Sequence, residues 1–193
     1  MELKNCRIGF AVTGSFCTIG KAVPKIAELI DDEADVTPIM SEIVYNTDTR
    51  FGCAYDLIET VEGMCGKSVI HTIEGAEPIG PKQLLDVLII APCTGNTLSK
   101  LANGINDSAV CMAAKAHLRN NRPVVLAICT NDGLGASAKN IGMLLNVKNI
   151  FFVPMIQDDP VVKQKSLEAN LNLIKPTAIA ALENKQLQPV FWR

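Results

Sequence analysis

The stretch Asp86-Val87-Leu88-Ile89-Ile90-Ala91-Pro92-Cys93-Thr94-Gly95-Asn96-Thr97-Leu98-Ser99-Lys100-Leu101-Ala102-Asn103-Gly104 restricts the fold more than any other part of the chain. Its apolar, β-branched run reads as a strand buried on both faces. Such strands belong to parallel sheets covered by helices on each side. Pro92 has no N–H to give a sheet ladder, so the strand is expected to close there. Thr94, Gly95 and Asn96 then present a hydroxyl, bare backbone and a carboxamide where a helix begins. In open α/β sheets that crevice is where ligands bind. The same residues also suit an ordinary strand–turn–helix connection, with Thr97 as its N-cap.

The pattern recurs along the chain. Residues 7–13 predict strand one. Gly14-Ser15 turns it into a helix over 19–30, with Val23, Ile26, Ala27 and Ile30 on one face and Pro24 in the first turns, where a missing N–H costs least. Strand two is expected over 34–40. Helices are expected at 41–44 and 54–64, a short strand three at 68–72, and a Gly- and Pro-rich loop at 75–81. Strand four is the run above, and its helix is expected to reach His117. Strand five follows over 122–130, a helix over 136–145 and strand six over 149–154. The remainder, 160–185, reads as one helix or two broken near Pro176. Six strands separated by helices imply one parallel sheet wrapped on both faces, with right-handed crossovers, as a single domain over 1–193.

A chain of 193 residues can bury a sizeable core in one such domain. A net charge of −2 without a basic block argues against nucleic acid as a partner. The longest apolar runs, 87–91 and 124–128, are too short to span a bilayer. Met1-Glu2-Leu3-Lys4-Asn5 lacks the apolar segment of a secretory leader. Seven scattered cysteines without a Cys-x-x-Cys pair read as reduced thiols, so a cytoplasmic location is expected. His71 and His117 are the only histidines, which excludes a His-rich metal site and disfavours a Ser-His-Asp triad.

The glycine loop Gly14-Ser15-Phe16-Cys17-Thr18-Ile19-Gly20-Lys21 lacks the Gly-x-Gly-x-x-Gly spacing of dinucleotide sites. It is not a Walker loop either, with five residues between its glycines and Ala22 after Lys21. Gly14-Ser15 after strand one still suits close approach to an anion. Ser41 after strand two and Thr130 after strand five should face the same crevice. His71, ending strand three, is a candidate acid or base, or a histidine satisfied by backbone. His117, late in a helix, is expected to meet the helix C-terminus and solvent. Cys93 is either a thiolate favoured by the helix start or a small turn-filling residue.

Pro92-Cys93-Thr94-Gly95-Asn96-Thr97 and Ser99-Lys100-Leu101-Ala102-Asn103-Gly104-Ile105-Asn106-Asp107 resemble the Pro-Ala-Ser/Thr-Ala-Asn-Thr and Lys-x-Ala-x-Gly-x-x-Asp run of flavin-containing cysteine decarboxylases, in the flavoprotein family. Thr13-Gly14-Ser15 matches their first flavin loop and Ser41 the hydroxyl residue after their second strand. The resemblance covers about residues 4–153. It implies a three-layer, Rossmann-like α/β domain with strand order 3-2-1-4-5-6. It also implies FMN as cofactor, with its phosphate near Gly14, Ser15 and Ser41 and its ring near Thr94, Gly95, Asn96 and Thr130. Asn96 is the side chain expected to read the ring edge. Members of the family form homo-oligomers, often trimers, and the small residues Ala102, Gly104, Ala109, Ala113 and Ala114 would permit close helix approach.

The decarboxylase signature Pro-x-Met-Asn-x-x-Met is replaced here by Cys129-Thr130-Asn131-Asp132-Gly133-Leu134-Gly135-Ala136, and the surroundings of His71 differ too. His71-Thr72-Ile73, Glu77-Pro78-Ile79-Gly80-Pro81, Thr130-Asn131-Asp132-Gly133-Leu134 and Pro154-Met155-Ile156-Gln157-Asp158-Asp159-Pro160 are similar instead to the dipicolinate-synthase branch of that family, in spore-forming bacteria. That resemblance implies a flavin-type chain that works with a second one, the A subunit of dipicolinate synthase, in the mother cell of a sporulating bacterium. The reaction implied is formation of pyridine-2,6-dicarboxylate from 4-hydroxy-tetrahydrodipicolinate. His71 and Asn96 are then the candidate catalytic residues. Arg50, Lys100 and Lys139 are the candidate dicarboxylate cations. A nicotinamide, NADP, on the partner chain is a second candidate electron acceptor. The alternatives are a decarboxylase of a cysteine-derived substrate and a non-catalytic partner of the catalytic chain.

Overall fold

The structure, a computed structural model, describes residues 3–191. Five parallel strands form its centre: β1 (Arg7–Val12), β2 (Asp35–Met40), β3 (Val87–Cys93), β4 (Val124–Thr130) and β5 (Ile150–Phe152). β6 (Met155–Asp159) and β7 (Lys163–Ala169) add an antiparallel hairpin. The helices are α1 (Phe16–Ala22), α2 (Pro24–Asp31), α3 (Glu42–Asn46), α4 (Ala54–Cys65), α5 (Ile73–Ala76), α6 (Gly95–Ala102), α7 (Ala109–Leu118), α8 (Ala138–Leu145) and α9 (Ile174–Leu182).

Alternation along the buried strands divides the core in two. Val87, Ile89, Ala91, Val125 and Ala127 pack on one face, with Ile19, Ile26, Val61 and Ala178 of α1, α2, α4 and α9. Leu88, Ile90, Cys93, Leu126 and Ile128 pack on the other, with Leu98, Val110, Ala113 and Ile141 of α6, α7 and α8. Both faces are therefore dry, as the unbroken apolar runs require.

The sheet order is β2-β1-β3-β4, and β4 then carries two neighbours on one edge. Its first half pairs with β5 in parallel, and Cys129 and Thr130 at its end pair antiparallel with β7. Expected strand three shrinks to a single bridge between Ile70 and Ile39, where Ile70 N–H donates to the Pro38 carbonyl at 2.9 Å. With Ile70 as outer member, the parallel part keeps the expected order 3-2-1-4-5-6.

Several boundaries differ from expectation. β3 runs through Pro92 to Cys93, because its register against β4 shifts between Ile90 and Cys93 and frees Pro92 from the ladder. The helix expected over 19–30 is two, meeting at Val23, with Pro24 opening α2. The helix expected to reach His117 breaks after α6 at Gly104, whose φ is +69°, and Ser108 caps α7 by accepting from Cys111 N–H at 3.2 Å. Residues 163–169 are strand rather than helix, and Pro176 sits harmlessly in the first turn of α9.

The small-residue stripe is used within the chain: Ala109, Ala113 and Ala114 are buried against the sheet. His117 is also buried, only 1% exposed, and its Nε2–H donates to the Pro123 carbonyl at 3.1 Å. Desolvation, with the Arg122 charge, outweighs the Pro123 hydrogen bond and pulls its pKa down to about 4. Among the described residues no helix is long and apolar enough to cross a membrane.

Candidate active site

The carboxyl ends of β1 and β3 are tied together by a short polar side chain. Buried Thr13 donates its hydroxyl to the Pro92 carbonyl at 2.7 Å, and its Oγ1 accepts the Thr94 N–H at 3.0 Å. One side chain thus sets the first loop against the turn after β3. Thr94, not Thr97, is the N-cap of α6: its Oγ1 accepts from Thr97 N–H at 3.2 Å. Asn96 consequently stands in the first turn of α6, exposed to solvent. Thr13→Val is expected to destabilise the chain by about 1–3 kcal/mol, since it strands one buried donor and one acceptor. Urea unfolding checks this, and Thr13→Ser should recover most of the loss.

A second knot lies across from the first. Asp132 accepts from Thr130 Oγ1 at 2.6 Å and from Ser137 Oγ at 2.8 Å. The Thr130 hydroxyl first, and the Ser137 hydroxyl with it, hold its carboxyl below the usual range, against partial burial. Gly95 packs directly on this knot, and a Cβ there would lie 2.8 Å from Thr130 Oγ1.

Between the knots opens a cleft of about 1010 Å³. Of the expected site residues it is lined by Gly14, Ser15, Arg50, Thr94, Gly95, Asn96, Thr130 and Lys139. Three others lie elsewhere. Lys100 turns away to pair with Asp107 at 2.7 Å. His71 stacks on Tyr45, with ring centroids 3.6 Å apart. Ser41 is buried and does not line the cleft, its Oγ without a hydrogen-bond partner among the described residues. Cys93, behind the turn, is fully buried, and burial pushes its thiol well above the ordinary value, so it packs as a small apolar residue.

Sequence reasoning missed the remaining wall. The β6–β7 hairpin contributes Asp158, Lys163, Ser166, Leu167 and Glu168. It is fastened to α1 by Lys21–Glu168 at 3.1 Å and to the loop after β4 by Leu134 N–H donating to the Lys165 carbonyl at 2.9 Å. Gly133 is one signal of it in the sequence, since a Cβ there would meet Leu167 at 2.7 Å. Asn140, buried yet lining the cleft, was missed as well. Among the described residues, Arg50 and Lys139 are cleft cations in no ion pair; Arg50 lies over the Phe51 ring, 4.8 Å from its centroid.

These residues fit a flavin mononucleotide. Ser15, on the cleft wall, makes no side-chain cap on α1. Gly14 and Gly95 leave backbone open on two walls, and Asn96 offers a free carboxamide.

A family model described as Flavoprotein matches residues 1–175. The dipicolinate synthase B subunit of Bacillus subtilis (strain 168) is 49% identical over 189 residues, 98% of this chain and 94% of that protein. The crystal structure of the dipicolinate synthase B subunit from Bacillus halodurans C superposes with a TM-score of 0.92 at 42% identity, covering 100% of this chain and 99% of that one. The FMN-dependent cysteine decarboxylase SpaF shares the fold, with a TM-score of 0.67 at 20% identity over 94% of this chain and 98% of that one. The fold, the hydroxyl- and glycine-lined cleft and the match across most of the sequence agree, and the chain belongs to the flavoprotein family.

Proposed function

We propose that this chain is the flavin-binding component of a dipicolinate synthase. It would form pyridine-2,6-dicarboxylate from 4-hydroxy-tetrahydrodipicolinate together with a second chain, the A subunit of dipicolinate synthase, in the mother cell of a sporulating bacterium. The observation that carries this reading is a cofactor-sized cleft holding two cations, Arg50 and Lys139, that no carboxylate neutralises among the described residues. Two cations with free hydrogen-bonding capacity suit a small dianion better than a neutral substrate.

The conversion removes one water, then two electrons and two protons, leaving an aromatic ring. FMN, when bound, supplies the two-electron acceptor; NADP on the partner chain is the competing acceptor. In this reading Gly14 and Ser15 hold the phosphate, and Ser41, expected beside them, takes no part. Thr94, Gly95 and Thr130 place the ring edge, and Asn96 reads it by donating and accepting at once. Arg50 and Lys139 orient the substrate carboxylates, and the β6–β7 hairpin keeps water from that side of the cleft. Catalysis is assigned to Asn96 rather than His71, because His71 stands on Tyr45 outside the cleft. Cysteine decarboxylation is less favoured, since Thr130-Asn131-Asp132-Gly133 stands at the end of β4 where those enzymes carry Met-Asn.

The test is an assay with 4-hydroxy-tetrahydrodipicolinate, with and without the partner chain and with FMN or NADP. Dipicolinate formation that depends on this chain is expected. Release of carbon dioxide from a cysteinyl substrate would favour the decarboxylase instead. Asn96→Asp removes the donor from the ring edge and sets an acceptor against an acceptor, costing about 1–3 kcal/mol. FMN affinity should fall about tenfold to a hundredfold in a chain with unchanged circular dichroism. An unaltered affinity would remove Asn96 from the site.

A further inference from the structure

The α8 wall of the cleft holds a polar group that the fold leaves unsatisfied. Asn140 is only 4% exposed and yet borders the cleft. Its Oδ1 is shut in with no donor among the described residues. Asp132, also on the cleft wall, by contrast collects two hydroxyls. A buried acceptor without a donor is destabilising unless something else supplies the hydrogen. The adjoining residue, Lys139, also lines the cleft and is in no ion pair among the described residues.

Together these features specify a ligand. Lys139 calls for an anion, and the Asn140 oxygen calls for a donor, which a carboxylate does not have. A ligand that suits both carries a donor, such as an O–H, together with a carboxylate. We propose that Asn140 is a substrate-reading residue, whose Oδ1 accepts a hydrogen bond from the hydroxyl of a cyclic hydroxy-dicarboxylate while Lys139 holds a carboxylate. Because Oδ1 is shut in, this contact requires the carboxamide to turn about its side-chain torsions. This assignment rests on the dicarboxylate reading above and gives it a specificity element: the side chain distinguishes the hydroxylated substrate from the dehydrated, aromatic product. Product release follows from the same contact, because the product no longer has the hydroxyl.

Isothermal titration with two probes tests it: pyridine-2,6-dicarboxylate and 4-hydroxypyridine-2,6-dicarboxylate, which differ by the hydroxyl. The wild-type protein should hold the hydroxylated probe about tenfold tighter. Asn140→Leu, with Asn140→Ala as second variant, should erase that preference and leave affinity for the unsubstituted probe nearly unchanged. Preference retained in both variants overturns the assignment. So does equal weakening of both probes, the mark of a merely structural role. Equal binding of the two probes by wild type overturns it as well, while the dicarboxylate reading stands. Binding of neither probe by wild type overturns that reading, and this assignment with it.

Discussion

Gly95→Ala is expected to weaken FMN binding at least about tenfold and to destabilise the chain by about 1–3 kcal/mol. The added Cβ would sit 2.8 Å from Thr130 Oγ1, 2.9 Å from Ser137 Oγ and 3.0 Å from Asp132 Oδ1. None of these is the loose end of a long side chain. All three are short and bonded to one another, so the knot cannot yield without losing hydrogen bonds. Relief must come from α6, whose start carries Thr94 and Asn96. A displacement of a few tenths of an ångström there spoils two of the contacts proposed for the ring edge. Gly20→Ala is the control. It lies exposed in α1 with nothing within 4 Å of its Cβ, and should be neutral or slightly stabilising. Flavin titration and thermal melting of the two variants, side by side, decide the matter. Equal behaviour would show that the knot tolerates a methyl group.

Acid should destabilise this protein earlier than its carboxylates alone would. Buried His117 titrates near 4 in the folded chain and near 6.5 when unfolded. Between those values the unfolded state binds a proton that the folded state refuses, so stability rises with pH across that window. The contribution is fully present above about pH 6.5, declines as pH falls, and is gone near pH 4. The difference between those two values corresponds to about 3 kcal/mol. Asp86 behaves separately. Its hydrogen bond from Arg7, aided by Arg122, holds its carboxyl at about 2 against partial burial. That contribution persists until the pH drops below the usual carboxylate range and is lost as pH falls through about 2. Urea unfolding at about pH 7.5, 5.5 and 4.5 should show a steep slope in wild type. His117→Gln, which keeps a neutral donor, should flatten it. Parallel slopes in the two proteins would mean that His117 is free to charge in the fold.

The central sheet was legible because burial on both faces leaves no choice of residue. Val87-Leu88-Ile89-Ile90-Ala91 and Val124-Val125-Leu126-Ala127-Ile128 each announce a strand, and the Gly-Ser and Thr-Gly-Asn turns after β1 and β3 mark the ends that meet at the cleft. The β6–β7 hairpin was not legible. Lys163-Gln164-Lys165-Ser166-Leu167-Glu168-Ala169 consists of good helix formers, and only docking against the end of β4 and Gly133 makes it extended. Its turn is set by Asp159, whose Oδ1 accepts from the N–H groups of Val161 and Val162, a local signal too small to outweigh composition. Lys100 was misplaced for a related reason. A cation one turn into a helix that starts at the crevice can face either way, and Asp107 draws it to the outside. Asn140 carried no signal at all, because a lone asparagine in a helix is ordinarily solvated.

The tie between Lys21 and Glu168 joins residues 147 positions apart. Thr13 meets Thr94 across 81 positions. The cleft is therefore among the least local parts of the molecule, and closing such contacts comes late on a folding pathway. During synthesis β1 to β4 emerge first and can assemble their core, while the hairpin follows after residue 155. A nascent chain halted before the hairpin would expose the end of β4 as an open strand edge, ready to pair with a neighbour on the same message. The last wall of the cleft is thus complete only once the chain has been made through Ala169.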